Sequence, residues 1–380
     1  MPPSLGAAVR TMLSARSAGL ARVVPHTQAV VASRSLTSCP LRKPMAVLFP
    51  GQGSQYVGMA KDIYELFPAA RAVLDEVDDA LQFKLTDIMF HGPPDTLTLT
   101  CHAQPAILAT SAALLAVMRE ETGLDLKRDA AYVLGHSLGE YTALYAAGSL
   151  TLSDAVKLVH KRGQAMQQGL PENVKTSMVA LIMRPRKFEA LSEKLAEIQA
   201  SLGPDEVVDL SNVNSSTQAV LSGTHDAVER ACRAFQTARI AARAVELPVS
   251  APFHCRLMSP AARAMAPHLA ATNFATPQLP VISNVTVLPV TDASQIPDLL
   301  VRQITSTVRW HPSIQYCRDV GGIHDFLVFG PNRVLGSLLK KDFPNDRVRL
   351  VEMFADMIPV TEPKLKRSQV GASTPGQEEG

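Results

Sequence analysis

Short apolar runs alternate with glycine turns and helical stretches in the first part of the chain. The run "MAVLF" at 45–49 is followed by the turn "PGQGSQ" and by a helical pattern over 60–67. The run "AAYVLG" at 130–135 repeats this order, with "HSLGEYTALYAAG" as its helix. Alternation of this kind indicates a parallel sheet with helices on both faces. We therefore predict an α/β fold with a parallel-sheet core.

The pattern changes near residue 173, where strands and helices follow a different order. The predicted elements are the strand "TSMVALIM", a helix over 186–200, the strands "VVDLSNV" and "TQAVLSG", a helix over 225–238 and the strand "ARAVELPV". This β-α-β-β-α-β order is typical of a ferredoxin-like domain. After residue 250 the chain returns to the first domain, with "LPVISNVT" and "DFLVFG" as further strands. The prediction is a large domain of residues 44–172 and 250–358, with a small ferredoxin-like domain inserted at 173–249.

The two ends of the chain differ in composition from the middle. The first acidic residue is Asp62, whereas six basic residues lie before residue 44 among Ser, Thr, Ala, Leu and Val. That composition is typical of an organelle transit peptide, and no apolar block stands clear of Arg as a secretory signal would require. The alternative is a disordered tail that carries no address. At the other end, residues 359–380 have almost no apolar periodicity, and we expect them to be disordered.

Composition excludes several classes of function. Removing residues 1–43 changes the formal net charge from +2 to −4, so the basic character belongs to the leader and nucleic acid is not an expected partner. The longest apolar stretch, 103–118, is interrupted by polar residues and predicts a buried helix rather than a membrane span. The five cysteines form no CxxC pair, which indicates a reduced compartment without structural zinc, and we interpret Cys255 as a passive core thiol.

The stretch "YVLGHSLGEY" places Ser137 between Gly135 and Gly139, after a strand and before a helix. A strand, a tight turn of small residues and a helix are what a nucleophile elbow needs to lift a serine hydroxyl out of the sheet. The helix N-terminus adds a backbone N–H and a partial positive charge beside it. The alternative is a turn serine without a chemical role. The context favours a nucleophile and an α/β-hydrolase-like core.

The first glycine loop, "PGQGSQYVGM", lacks the spacing of a phosphate-binding loop, since no GxGxxG or GK[ST] is present. Its small residues allow a close backbone approach, so the N–H of Gln52 can point toward the serine. We predict an oxyanion hole made by the N–H groups of Gln52 and Leu138.

Five motifs, in order, resemble the malonyl-CoA:acyl carrier protein transacylases: "FPGQGSQ", "GHSLGEY", "RGQAMQ", "PVSAPFHCRLM" and "GPNRVLGSLLK". The similarity spans residues 45 to about 342. Together with the leader, the chain is similar to a mitochondrial member of that family. One departure is visible at "HAQPA", residues 102–106, where many relatives have Thr-Gln-Pro: Gln104 and Pro105 are retained, but Ala103 stands at the position of the threonine.

The resemblance implies that Ser137 is acylated and that His254 is its base. From the residues alone, Pro252 would interrupt a strand and leave the imidazole of His254 on a loop near the serine. No aspartate that would orient His254 is evident; the resemblance implies a carbonyl oxygen instead, in the segment that contains Gln303. Any acceptor that fixes the imidazole tautomer meets this need.

The resemblance also implies a set of substrate-binding residues. Arg162 would hold the free carboxylate of malonate through two charge-assisted hydrogen bonds; the alternative is a surface arginine beside Lys161. Phe253 would narrow the pocket against branched acids. Asn214 would lie on the small-domain loop that faces the pocket, and His136 would support the turn.

These expectations amount to an acyltransferase that needs no metal or redox cofactor and acts as a monomer on malonyl-CoA and acyl carrier protein in the mitochondrial matrix. The first alternative is a serine esterase or lipase, which would need an acidic residue between Ser137 and His254; the candidates Asp205, Asp209 and Asp226 all fall in the inserted domain. The second is a non-catalytic protein that binds acyl carrier protein. Candidate docking cations are Arg230, Arg233, Lys340 and Lys341.

Overall fold

The computed structural model describes residues 44–170 and 174–361. The predicted transit peptide and nearly all of the predicted disordered tail therefore lie outside the described residues. The last helix ends at Thr361 and so includes the first three residues of the predicted tail.

The described chain contains ten strands and fifteen α-helices in these ranges. The strands are β1 (Met45–Phe49), β2 (Ala130–Gly135), β3 (Thr176–Met183), β4 (Val208–Ser215), β5 (Gln218–Thr224), β6 (Ala241–Glu246), β7 (Val281–Ile282), β8 (Pro289–Val290), β9 (Asp325–Phe329) and β10 (Arg347–Val351). The helices are α1 (Lys61–Leu66), α2 (Pro68–Leu81), α3 (Leu85–His91), α4 (Pro94–Thr98), α5 (Thr100–Thr122), α6 (Leu126–Asp129), α7 (Gly139–Ala146), α8 (Leu152–Gln168), α9 (Phe188–Ala200), α10 (His225–Thr237), α11 (Ser259–Ala271), α12 (Ile296–Thr305), α13 (Trp310–Asp319), α14 (Val334–Asp342) and α15 (Phe354–Thr361).

The larger sheet has the strand order β10–β9–β1–β2–β7–β8. The pairs from β10 to β7 are parallel, and only the short edge strand β8 runs antiparallel. All five residues of β1 are buried, as expected for a central strand covered by helices on both faces. The predicted parallel-sheet core is confirmed.

The smaller sheet has the order β4–β5–β3–β6 and is antiparallel throughout. Helices α9 and α10 pack on it through an apolar cluster that includes Leu191 and Phe235. The order and the β-α-β-β-α-β connection are those of a ferredoxin-like fold, so the expected small antiparallel sheet is confirmed. The predicted limits of this domain, 173 and 249, stay a prediction; its sheet runs from Thr176 to Glu246.

Some strands differ from the sequence-based expectation. Only Val281–Ile282 of the run "LPVISNVT" forms a strand, because the following residues turn back toward the elbow helix. Strand β10 was not expected from its "RVRLV" pattern; it pairs with β9, and Arg349 of β10 forms an ion pair with Asp325.

Helix α5 is long and apolar enough to cross a membrane by length and composition, but most of it is buried inside the fold. It packs along α8, and this contact brings Gln104 of α5 to the side chain of Arg162 of α8. The apolar stretch that predicted a buried helix is therefore a core helix that also forms one wall of the site described next.

Candidate active site

The turn between β2 and α7 holds Ser137 in the left-handed conformation, with φ of 54°. Two glycines make this turn possible. A Cβ at Gly135 would lie 1.9 Å from the carbonyl of Gly139, and a Cβ at Gly139 would lie 2.5 Å from the carbonyl oxygen of Phe49. Because neither contact is sterically allowed, only glycine fits at these two positions, and the strained, half-buried serine lies at the end of strand β2.

The hydroxyl of Ser137 lies 2.7 Å from Nε2 of His254, 117 positions further along the chain. The other ring nitrogen, Nδ1, lies 2.9 Å from the backbone carbonyl oxygen of Gln303. A carbonyl oxygen only accepts hydrogen bonds, so Nδ1 carries the proton and Nε2 presents its lone pair to the serine. The structure thus brings together the three residues for which the sequence predicted catalytic roles.

The backbone that carries His254 is fixed by the small domain. The hydroxyls of Ser211 on β4 and Ser222 on β5 both donate to the carbonyl oxygen of Phe253, at 3.1 and 2.9 Å. His254 itself has φ of 59°, a left-handed conformation that such contacts hold in place. Phe253 is buried, and these contacts to Ser211 and Ser222 involve its backbone carbonyl, so the predicted role of its side chain in selectivity stays a prediction.

Arg162 is 1% exposed although it carries a guanidinium. Its Nη1 donates to Oε1 of Gln104 at 2.8 Å, and its Nη2 donates to Oε1 of Gln303 at 3.0 Å and to Oγ of Ser137 at 3.2 Å. Its Nε has no hydrogen-bond partner, and no carboxylate in the described part of the chain forms an ion pair with it. A buried cation with neutral neighbours beside a nucleophile is suited to bind an incoming anion.

Two residues that the sequence analysis did not single out complete the polar network around the elbow. Asn284 accepts the Ser137 N–H at 2.8 Å and donates to the carbonyl oxygen of Gly135 at 2.8 Å. The Glu140 carboxylate accepts Nε2 of Gln303 at 2.7 Å and the Asn284 N–H at 3.2 Å. Glu140 is part of the motif "GHSLGEY", but the sequence did not mark it as a site residue because a glutamate in the first turn of a helix is usually solvent-exposed. Asn284 gave no sequence signal beyond its place after a strand.

The predicted oxyanion donors are available in the structure. Among the described residues, the backbone N–H groups of Gln52 and Leu138 have no acceptor within the fold. The side chain of Gln52 donates to Thr100, which fixes its loop. A Cβ at Gly51 would lie 2.6 Å from the carbonyl oxygen of His136, so this loop approaches the elbow too closely for any residue but glycine.

His136 and Asn214 connect the two domains. Nε2 of His136 lies 2.9 Å from Oδ1 of Asn214 at the end of β4, and its ring packs edge-on against Trp310. Burial lowers the pKa of His136, so its imidazole is neutral and donates one hydrogen bond to the Asn214 oxygen. This geometry is consistent with support of the turn; the roles predicted for both residues stay predictions.

Burial and the guanidinium set the protonation of the site. Burial lowers the pKa of His254 to about 3, and the positive charge of Arg162 contributes to this shift, so the imidazole is neutral at physiological pH. Burial raises the pKa of Glu140 to about 7. Hydrogen bonds from Gln303, Asn284 and Ser283 and the positive charge of Arg162 act in the opposite direction and lower this pKa. Burial also lowers the pKa of Arg162, although a guanidinium stays charged.

A cavity of about 330 Å³ opens beside the Gln52 loop. Its walls come from this loop, from the segment around Thr98 and Leu99, and from Pro248, Val249 and Ser250, which lead toward His254. The cavity therefore lies between the predicted oxyanion loop and the histidine loop, and it provides an open approach to this part of the site.

The remaining candidates lie on the surface. Arg230 forms an ion pair with Glu206 at 2.8 Å, and Arg233 pairs with Glu229. Lys340 and Lys341 at the end of α14 are exposed and form no ion pair within the described ranges. A group on α10, His225 with Asp226 and Glu229, has ligand atoms within 4.8 Å of one another but contains no residue of the site. Cys255 is buried, and burial raises its pKa to about 11, as expected of a passive thiol.

Comparison with known proteins gives this constellation a context. Residues 47–326 match the acyl transferase domain family. The chain is 40% identical over 297 residues to the malonyl CoA-acyl carrier protein transacylase of Bacillus subtilis strain 168, which covers 78% of this chain and 90% of that protein. It is 40% identical over 296 residues to the Escherichia coli K12 protein of the same name, covering 78% and 92%.

Solved structures agree with the sequence comparison. The acyl-carrier-protein-S-malonyltransferase of Bartonella henselae has a TM-score of 0.78 at 40% identity, covering 84% of this chain and 98% of that one. A malonyl-transacylase solved in complex with a type II PKS acyl-carrier protein has a TM-score of 0.77 at 36% identity, covering 84% and 99%. A serine elbow on a parallel core, a histidine loop beside a small antiparallel sheet and near full-length matches at this identity show that the chain belongs to the malonyl-CoA:acyl carrier protein transacylase family of acyltransferases.

Proposed function

We propose that this chain transfers the malonyl group of malonyl-CoA to the pantetheine thiol of acyl carrier protein through a malonyl-Ser137 intermediate. We further propose that the reaction takes place in mitochondria and supplies malonyl units for fatty acid synthesis there. The family membership and the names of the relatives support the transfer reaction. The six basic residues before residue 44, without one acidic residue, support the mitochondrial assignment.

The first half-reaction acylates the serine. The neutral His254 takes the hydroxyl proton through Nε2 as Ser137 Oγ forms a bond to the thioester carbon. The N–H groups of Gln52 and Leu138 hold the oxyanion of the tetrahedral intermediate. The C–S bond then breaks, and His254 returns the proton to the departing CoA thiolate. The Gln303 carbonyl keeps Nδ1 protonated and stabilises the imidazolium while it exists.

The second half-reaction releases the acyl group. After CoA has left, the pantetheine thiol of the carrier protein enters, gives its proton to His254 and attacks the malonyl-serine carbonyl. The C–Oγ bond breaks, and the proton passes from His254 to Ser137. Each step uses the chain's own side chains and backbone, so the proposal includes no metal or redox cofactor.

One observation carries the proposal: the Ser137 hydroxyl lies within hydrogen-bond distance of both a neutral imidazole and a buried guanidinium. A general base activates the serine in any acyl transfer, but the second contact suits an acyl group that bears its own carboxylate.

The same geometry argues against the two alternatives. An esterase of the α/β-hydrolase type orients its histidine with an acidic residue, whereas the acceptor here is a neutral carbonyl oxygen. A protein that only binds acyl carrier protein has no need of a strained serine 2.7 Å from a neutral imidazole.

Incubation of the pure protein with radiolabelled malonyl-CoA separates the three functions. We expect stable label on the protein, transfer of the label to holo acyl carrier protein, and loss of both in Ser137→Ala while the variant stays folded. Free malonate as the main product would mean a hydrolase, and neither product would mean a binding protein. A malonyl adduct on the alanine variant in intact mass spectrometry would refute Ser137 as the nucleophile.

The carrier protein, we propose, docks near Lys340 and Lys341 and binds a monomer of this chain. These two exposed lysines have no ion-pair partner in the described chain, whereas Arg230 and Arg233 are already neutralised by Glu206 and Glu229. An unpaired cation keeps its full attraction for an acidic partner. Size-exclusion chromatography with light scattering measures the mass of the protein in solution. A dimeric mass would contradict the proposed monomer.

A further inference from the structure

Among the described residues, Glu140 is the carboxylate whose charge acts on Arg162. It is 2% exposed and lies in the first turn of α7, three residues after the serine. It forms no direct ion pair with Arg162 but reaches it through Gln303, whose Nε2 donates to Glu140 and whose Oε1 accepts from Arg162. The negative charge of Glu140 opposes the burial effect on the Arg162 pKa, and Arg162 has the reciprocal effect on Glu140.

The orientation of the Gln303 amide is fixed by its neighbours. Its oxygen faces a guanidinium, which only donates, and its nitrogen faces the carbonyl oxygen of Ser137 at 2.9 Å and the Glu140 carboxylate, which accept. A flipped amide would point its N–H groups at the Arg162 guanidinium, which is also a donor, and its oxygen at two acceptors. Gln303 therefore couples the charges of Glu140 and Arg162 in one geometry.

In the described part of the chain, the other groups that act on Glu140 carry no charge. Ser283 and Asn284 follow β7, Gln303 lies on α12, and Tyr141 is its neighbour on α7. Arg162 on α8 is the charged group among the interactions that act on the Glu140 carboxyl. The site thus holds one buried cation and one buried acid.

A malonyl group changes this balance because it brings a second carboxylate to the same guanidinium. Two carboxylates that share one buried cation repel each other, and the one with the weaker direct contact is easier to protonate. Malonate would bind Arg162 directly, whereas Glu140 reaches it through an amide.

We propose that Glu140 is a charge-balancing residue that is ionised while Arg162 is unoccupied and takes up a proton from solvent when the malonyl carboxylate binds. Wherever Glu140 is ionised in the free enzyme, the site then holds one cation and one anion both before and after the malonyl group binds. This inference rests on the proposed malonyl transfer and adds to it a residue whose protonation depends on whether the acyl group bears a carboxylate. The step is the addition of one solvent proton to one Glu140 oxygen.

The direct test measures proton uptake. Enzyme is mixed with malonyl-CoA in weakly buffered solution with a pH indicator at pH 7, and intact mass spectrometry gives the malonylated fraction. Acylation with release of a CoA thiol is itself proton-neutral. With a free-site pKa of about 7, we expect roughly half a proton taken up per malonylated serine. Acetyl-CoA, which brings no carboxylate, is expected to give none.

The matched variant is Glu140→Gln, which keeps an oxygen to accept from Gln303 and Asn284 but removes the charge. We expect no proton uptake by this variant. A second measurement compares the equilibrium constants for malonylation and acetylation of Ser137. In the wild type we expect the ratio of these constants to fall about eightfold from pH 6.5 to 8, because above its pKa Glu140 must be reprotonated when the malonyl carboxylate binds. The ratio in the variant is expected to stay flat over this range, which a purely structural role would not produce.

The outcomes are distinguishable. If no malonyl adduct forms on Ser137, the proposed function fails. If the adduct forms without proton uptake, or if Glu140→Gln takes up protons as the wild type does, only the charge-balancing role is overturned. Should the variant not fold, the wild-type comparison of malonyl-CoA with acetyl-CoA still decides, since equal uptake for both thioesters would refute the proposal.

Discussion

Replacement of Arg162 tests the chemistry of the site most directly. The side chain is buried and donates to three neutral acceptors, Gln104, Gln303 and Ser137. In Arg162→Ala, a malonyl carboxylate would be buried without a cation, while an acetyl group would lose no charged partner. We therefore expect the variant to change the preference between the two acyl groups.

The magnitude follows from the two kinds of contact. Removing one partner of a buried, hydrogen-bonded charge pair costs about 2–5 kcal/mol, which corresponds to a loss in kcat/KM for malonyl-CoA of roughly 30-fold to several thousand-fold. For acetyl-CoA the variant loses one hydrogen bond to the serine hydroxyl, of net value about 0.5–1.5 kcal/mol, or roughly 2- to 10-fold. Arg162→Lys is expected to lie between wild type and alanine, because a point charge replaces the planar fork.

The assay compares kcat/KM for malonyl-CoA and acetyl-CoA, with holo acyl carrier protein as acceptor, in wild type, Arg162→Ala and Arg162→Lys. Lys161→Ala is the control, since Lys161 is the exposed neighbour on the same helix and should leave the ratio unchanged. Equal losses for both thioesters in Arg162→Ala would refute the reasoning and would mean that Arg162 supports the fold or the CoA moiety instead.

Three further predictions concern docking, targeting and stability. Reversal of Lys340 and Lys341 to Glu should raise the KM for acyl carrier protein several-fold without changing the rate of Ser137 malonylation, whereas Arg230→Glu, at a cation already paired, should have a smaller effect. Residues 1–43 fused to a fluorescent reporter should enter the mitochondrial matrix and lose part of the leader; a diffuse cytosolic signal would contradict the assignment. Between pH 5 and 6.5, folded His254 with a pKa of about 3 binds fewer protons than unfolded histidine, so it adds roughly 1.5 kcal/mol to the free energy of unfolding as pH rises. Glu140, with a pKa of about 7, binds more protons in the folded than in the unfolded state, so it lowers the free energy of unfolding by a similar amount over the same pH range. Urea unfolding at several pH values measures this free energy. Relative to wild type, its slope against pH should fall in His254→Gln and rise in Glu140→Gln.

Local patterns determined much of the architecture. The run "MAVLF", the elbow "GHSLG" and the two halves of the small domain were evident because strand, turn and helix preferences act over a few residues. The strained serine could be predicted for the same reason: Gly135 and Gly139 flank it, and both contacts that exclude a Cβ there lie close in sequence or on the adjacent strand. Edge strand β10 was missed because its alternating arginines read as polar, although Arg349 pairs with Asp325 on the neighbouring strand.

Tertiary structure alone decided the protonation and charge of the site. The acceptor for His254 is a backbone carbonyl, which every residue has, so no residue type marked Gln303 apart from the resemblance. Glu140 reads as an ordinary first-turn acid, and its raised pKa appears only because the Gln303 and Asn284 segments, more than 140 positions away, cover it. The pattern of side chains along the sequence determines which helices and strands form. The burial and the hydrogen-bond partners of a side chain depend instead on how elements distant in sequence pack together. These long-range contacts therefore determine which groups are charged beside Ser137.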